Sequence, residues 1–216
     1  MQVIDVETPS GLARAHLGDR VDTADPIGLV VLGHGAGGGI DAPDLVAVSA
    51  ELTVAGWAVT RVEQPYRVAG RRAPVPAPRL DAAFSAVVAA VRARFPRGPL
   101  ILGGRSSGAR VACRTAGDTG ADGVLALAFP LHPPAHPDRS RAGELAGVRV
   151  PVLVVQGERD SFGAPAAFTL AGLPDSVEVI GVPGDHSLRR GPDRLGAIVT
   201  AWAAGIAARG DALEGL

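Results

Sequence analysis

The chain reads as an α/β protein: a mostly parallel central sheet with helices on both faces and an antiparallel hairpin at its start. Three observations carry that reading. Short apolar runs alternate with segments of helical periodicity along most of the length. The run Ile27 to Leu32 is unbroken, the mark of a strand buried on both faces. And Gly104-Arg-Ser106-Ser-Gly108 stands between an apolar run and a helical pattern, where a sharp strand-to-helix bend is expected.

Taken in order, Val3 to Val6 and Leu12 to Val21 predict two strands joined at Pro9-Ser-Gly11. Ile27 to Leu32 is the first central strand. Leu45, Val48 and Leu52 recur at helical spacing and stop at Gly56, and Trp57 to Val62 is the next strand. A loop rich in Pro and Arg, Gln64 to Pro78, precedes a helix whose apolar face is Leu80, Phe84, Val87, Val88, Val91 and Phe95. Leu100 to Leu102 is the strand before the Ser106 bend, and Gly123 to Phe129 is another. Pro130 to Val148 is a long connection. Pro151 to Gln156 predicts a strand, Ala164 to Ala171 a short helix, and Val177 to Val182 the last strand. Leu195, Ile198, Val199, Trp202 and Ile206 form the stripe of a closing helix. No linker or repeat divides the chain, so residues 1–209 are expected to form one domain and 210–216 a tail.

Composition narrows the class. The chain has 216 residues, 47% of them hydrophobic and 20% charged, which is enough apolar material for a substantial core. A formal net charge of -1 provides no basic footprint for nucleic acid. No apolar run is long enough for a bilayer span. Met1 to Glu7 has neither a basic region nor an apolar signal core, and Cys113 is the single cysteine. The cytoplasm is therefore the expected compartment, with no membrane or nucleic-acid partner, and either a monomer or a homodimer. Cys113, two helical turns after Ser106, is expected to be a buried small hydrophobe.

In a parallel sheet, chemistry collects at the carboxyl ends of the strands. After the Leu100 strand comes Ser106, after the Pro151 strand Asp160, and after the Val177 strand His186. Nucleophile, acid and histidine follow one another in the chain order of a nucleophile-elbow hydrolase. A serine hydroxyl is a poor nucleophile at neutral pH. His186 would accept its proton, and Asp160 would hold the imidazole tautomer and stabilise the imidazolium. Glu158 is close enough to compete for the acid's place, and Asp185 could instead pair with His186.

Acyl transfer also needs N–H donors aimed at the developing oxyanion. Gly33-His-Gly-Ala-Gly-Gly-Gly39 follows the Ile27 strand directly. Ala36 N–H from this loop and Ser107 N–H from the elbow are the expected pair, with Gly35 the nearest rival and a neighbour of the substrate. His34 is expected to brace the loop by hydrogen bonds. The same glycines satisfy Gly-x-Gly-x-x-Gly, and Glu63 ends the next strand where a ribose-binding acid would sit. The dinucleotide reading is weaker. The glycine turn does not run straight into a helix, and the reading leaves Ser106, Asp160 and His186 unexplained.

Gly33-His-Gly-Ala-Gly-Gly38, Gln64-Pro-Tyr-Arg67, Gly103-Gly-Arg-Ser-Ser-Gly108, Phe129-Pro-Leu-His-Pro-Pro134, Gln156-Gly-Glu-Arg-Asp-Ser-Phe-Gly163 and Gly184-Asp-His186 together resemble a small serine-hydrolase family of the α/β-hydrolase superfamily. It is similar to dienelactone hydrolases and takes in the hydrolase-like subunit of the NSL histone-acetyltransferase complex. The resemblance runs from about Ile27 to Trp202. It implies an α/β-hydrolase fold with Ser106, Asp160 and His186 as triad. The dienelactone enzymes use a cysteine nucleophile where this chain has Ser106, so their substrate does not carry over.

Only Gln64 to Pro78 and Pro130 to Val148 could cover the pocket, so a minimal lid or none is expected. Tyr66, Arg67, Arg105 and His132 are candidates to line it. Arg67 or Arg105 could grip a substrate carboxylate, though Arg105 could equally brace the elbow through a salt bridge. The expected activity is cleavage of a small carboxylic ester or lactone through an acyl-enzyme, with no cofactor and no metal. The alternative is a hydrolase fold kept as a binding or scaffold module.

Overall fold

A computed structural model describes residues 2–18, 25–190 and 192–214. β1 (Gln2–Thr8) and β2 (Gly11–Leu17) form the opening hairpin. There follow β3 (Leu29–Gly33), α1 (Pro43–Val54), β4 (Ala58–Glu63), α2 (Pro65–Val68), α3 (Ala77–Arg94), β5 (Leu100–Arg105), α4 (Ser107–Thr119), β6 (Gly123–Leu127), α5 (Ala142–Ala146), β7 (Val152–Gly157), α6 (Pro165–Thr169), β8 (Val177–Val182) and α7 (Pro192–Glu214).

The eight strands lie in the order β1-β2-β4-β3-β5-β6-β7-β8. From β4 to β8 every pairing is parallel, while β1 and β2 join antiparallel at one side. Burial on both faces follows the two-residue period of a strand. Leu29, Val31, Leu100, Leu102, Val124 and Val152 face one core with α3 and α4. Val30, Leu32, Ile101, Leu125 and Leu153 face the other with α1 and α7. This two-sided burial is why the central strands read as unbroken apolar runs.

The expected α/β fold holds, and the differences fall at element ends and in two connections that hold short helices. The first central strand begins at Leu29 because Gly28 passes too close to Pro99 and Trp57 to carry a side chain, and Ile27 is half exposed. The strand expected over 12–21 ends at Leu17, and positions 19–21 lie outside the described residues. The Pro- and Arg-rich loop holds the short helix α2, begun by Pro65 at its first turn. The long connection after β6 holds α5. Helix α7 continues to Glu214, into the segment expected as a tail, and residues 215–216 lie outside the described residues. Among the described residues, no helix is long and apolar enough to cross a membrane.

Candidate active site

Ser106 sits between the end of β5 and the first residue of α4, with φ 51 and ψ -112. A non-glycine residue there is strained, typically by about 1–3 kcal/mol. Its N–H donates to the Leu127 carbonyl at 2.9 Å, which ties the bend to β6. The flanking glycines are dictated by β3. A Cβ on Gly104 or on Gly108 would collide with the Gly33 carbonyl oxygen. The Gly-x-Ser-x-Gly spacing therefore lets the strand, the bend and the helix pack against β3 with no room for a methyl group.

Ser106, Asp160 and His186 come together. His186 Nε2 lies 3.0 Å from Ser106 Oγ, and His186 Nδ1 lies 2.8 Å from Asp160 Oδ2. The Asp160 side chain is wholly buried and can only accept, so Nδ1 carries the proton and the Nε2 lone pair faces the serine hydroxyl. Asp160 Oδ1 accepts the Phe162 N–H at 2.8 Å. Neither rival acid takes this place. Glu158 is exposed, and Asp185 accepts from the N–H and hydroxyl of Ser187 instead.

The glycine loop is braced as expected. Gln64 N–H donates to His34 Nε2 at 3.2 Å, so Nδ1 holds the proton and donates to the Gly35 carbonyl at 2.8 Å. That carbonyl belongs to the same planar peptide as the Ala36 N–H. Holding the carbonyl toward His34 therefore turns the N–H the opposite way. Burial lowers the His34 pKa, which keeps the ring in the neutral form this bonding needs. Ala36 and Ser107 line one cavity together with Ser106 and His186. As the first residue of α4, Ser107 has an N–H without an intrahelical acceptor.

That cavity encloses about 590 Å3. Pro74 and Val75 wall it from the connection before α3, Ala77 from the start of that helix, and Pro130 and Arg141 from the connection after β6. Both segments expected to cover the pocket thus border it. Gly35 lies against the elbow: a Cβ there would stand 3.7 Å from that of Ser106.

Three of the expected substrate contacts have other places. Tyr66 is buried behind the loop, where its hydroxyl donates to the Ala36 carbonyl at 2.8 Å, and it lines a separate cavity with Pro65 and Arg71. Arg67 borders a neighbouring cavity of about 430 Å3 with Gly38, Gly39 and Asp44. His132 bonds the Pro133 carbonyl and backs Phe162 rather than lining the Ser106 cavity. Arg105 does border that cavity, but its guanidinium is engaged. Nε donates to Asp44 at 2.7 Å and Nη2 to the His186 carbonyl at 2.6 Å. The salt-bridge brace is what Arg105 makes, and it fastens α1, the elbow and the His186 loop to one another.

Sequence alone assigns no role to Gln156 or Phe162. Gln156 is fully buried, and its Nε2 donates to Asp160 Oδ2 at 2.8 Å. The Phe162 ring lies 4.3 Å from the His186 imidazole, centroid to centroid, and shields it on one side. A glutamine at the end of an otherwise apolar buried strand, four residues before the acid, was the available signal for the first. Cys113 lies in the α3–α4 core, and burial pushes its thiol up to about 12.

A model of the alpha/beta hydrolase domain matches residues 26–208. The chain belongs to this family. A lidless α/β serine hydrolase from Xanthomonas campestris has 22% identity and a TM-score of 0.74, over 93% of this chain and 92% of that one. Est1E from Butyrivibrio proteoclasticus, also solved with ferulic acid bound, has 14% identity and a TM-score of 0.79, over 96% of this chain and 100% of its own. An α/β serine hydrolase homologue from Coxiella burnetii has 16% identity and a TM-score of 0.78. At these identities the likeness is one of fold.

Proposed function

We propose that this α/β hydrolase is a serine esterase of the cytoplasm, cleaving a small carboxylic ester or lactone through an acyl-enzyme. The observation that carries the reading is the continuous chain of contacts from Asp160 through His186 to Ser106 Oγ. Ser106 Oγ attacks the ester carbonyl while His186 Nε2 takes its proton, and Asp160 stabilises the imidazolium. The tetrahedral oxyanion is received by the N–H groups of Ala36 and Ser107. Collapse expels the alcohol, which takes the proton from His186 and leaves the acyl group on Ser106. Water, deprotonated by the same nitrogen, then releases the acid and restores the hydroxyl. Strain at Ser106 holds Oγ clear of the sheet before substrate arrives. The two bordering segments leave the cavity open, which suits a short acyl chain.

Labelling with a fluorophosphonate probe, alongside hydrolysis of 4-nitrophenyl butyrate, tests this reading. Ser106→Ala should abolish labelling and lower turnover by roughly 10³-fold or more, while Ser107→Ala, which keeps its backbone N–H, should stay within about tenfold. Full turnover by Ser106→Ala would end the proposal, and so would a folded wild-type chain that the probe does not label. That second result would favour a binding module on a hydrolase fold.

A further inference from the structure

Arginines gather where the cavity runs away from Ser106. Arg110 and Arg114 stand four and eight residues beyond Ser106, so α4 carries them along one face. Arg141 faces them from the connection after β6. Two carboxylates answer these three cations. Glu144 receives Arg110 Nε at 2.9 Å and Arg110 Nη2 at 2.5 Å, and Asp81 receives Arg114 Nε at 2.8 Å and Arg114 Nη2 at 2.7 Å. Glu144 also receives Arg114 Nη1 at 3.3 Å. One positive charge is left over. Arg141 holds the Pro130 carbonyl through Nη1 at 2.8 Å, and among the described residues no carboxylate comes within ion-pairing distance of it. Burial and the charge of Arg110 pull its pKa below the usual guanidinium value, and the charge of Glu144 offsets them only in part, so an anion would be welcome there.

Resting on the esterase reading above, we infer that the site selects esters whose acyl chain ends in a second, ionised carboxyl group, gripped by Arg141 with Arg110 beside it. The alcohol must leave on the His186 side to collect its proton, which assigns the α4 side to the acyl chain. Arg110 lies one turn from the nucleophile, roughly 6 Å along the helix axis, so the reach suits an acid of about four to six carbons. Arg141 keeps Nε and Nη2 for the ligand, enough for a paired contact with both carboxylate oxygens. Hydrolysis adds one water across the ester and releases the dicarboxylate, its alcohol and a proton.

The test compares monoethyl glutarate with ethyl pentanoate, which has the same chain length and no terminal charge, by titrating released acid. The wild type should favour monoethyl glutarate by about tenfold or more in kcat/KM, a ratio that shrinks with added salt. Arg141→Met should cut that ratio by about tenfold, and Arg141→Lys should retain part of it. A wild-type ratio of one or below overturns the inference, as does an unchanged ratio in Arg141→Met. Should that variant not fold, protection of wild-type Ser106 from fluorophosphonate decides: glutarate should slow labelling and pentanamide should not, and equal effects overturn the inference. Failure of the esterase reading itself looks different, since neither ester is then cleaved and Ser106 is not labelled.

Discussion

Gln156 and His186 converge on one oxygen: Gln156 Nε2 and His186 Nδ1 each stand 2.8 Å from Asp160 Oδ2. The amide also reaches the Gly163 carbonyl at 2.8 Å and the Phe129 carbonyl at 3.2 Å. It thus ties the acid to its own loop and to the end of β6. Removing it frees a buried carboxylate to turn. Gln156→Ala should lower kcat/KM by about tenfold and stability by roughly 1–3 kcal/mol, the range for a lost buried hydrogen-bond partner. Esterase kinetics and urea unfolding measure the two effects, and wild-type values in both would remove Gln156 from the support of the triad.

Two glycines of α4 should respond in opposite directions to the same change. A Cβ on Gly108 meets the Gly33 carbonyl, and backbone cannot swing aside as a flexible side chain can. Gly108→Ala should therefore destabilise by about 2–3 kcal/mol and displace the elbow. A Cβ on Gly117 meets nothing within 4 Å. Gly117→Ala should instead stabilise by about 0.5–1 kcal/mol, through helix propensity alone. Denaturant midpoints of both variants check the pair. Equal effects would contradict the close approach of α4 to β3.

His34 predicts an acid-side loss of stability. The ordinary imidazole value is 6.5, and burial lowers it in the folded chain. As pH falls through 6.5 the unfolded chain binds a proton that the folded chain still refuses, so stability drops from there until the folded value is passed. Above 6.5 the contribution is complete. Protonating Nε2 would also abolish its acceptance of the Gln64 N–H and loosen the glycine loop. Urea midpoints from pH 8 to pH 5 should fall less steeply in His34→Gln than in the wild type. Matching slopes would show that His34 does not titrate between the two states.

Strand alternation, the elbow spacing and the order Ser106, Asp160, His186 were all legible without coordinates, because each is a local pattern. The sheet's parallel core follows from unbroken apolar runs, and the elbow from a glycine two residues to either side of Ser106, although the Gly33 carbonyl that demands them lies far off in sequence. Element ends were less legible. Gly28 ends the run at Leu29 only because Trp57 and Pro99 lie across from it, and neither is its neighbour in sequence. Tyr66 was expected at the substrate and instead braces the loop, since nothing in Gln-Pro-Tyr-Arg reveals which side of that loop the ring will take.

The linear order of residues thus determined the fold class, the bend at Ser106 and the placing of candidate carboxylates and an imidazole at the strand ends, while the choice of Asp160 over Glu158 and Asp185 needed the fold. Periodicity and glycine placement act over a few residues, and a chain carries them wherever it goes. Tertiary packing alone decided that Arg105 serves Asp44 rather than a ligand, that Gln156 steadies Asp160, and that Arg141 reaches the cavity with no carboxylate within ion-pairing distance among the described residues. Hydrogen bonds and ion pairs act over a few ångströms. Their partners lie up to tens of residues apart along the chain, and only the folded sheet brings them within that reach.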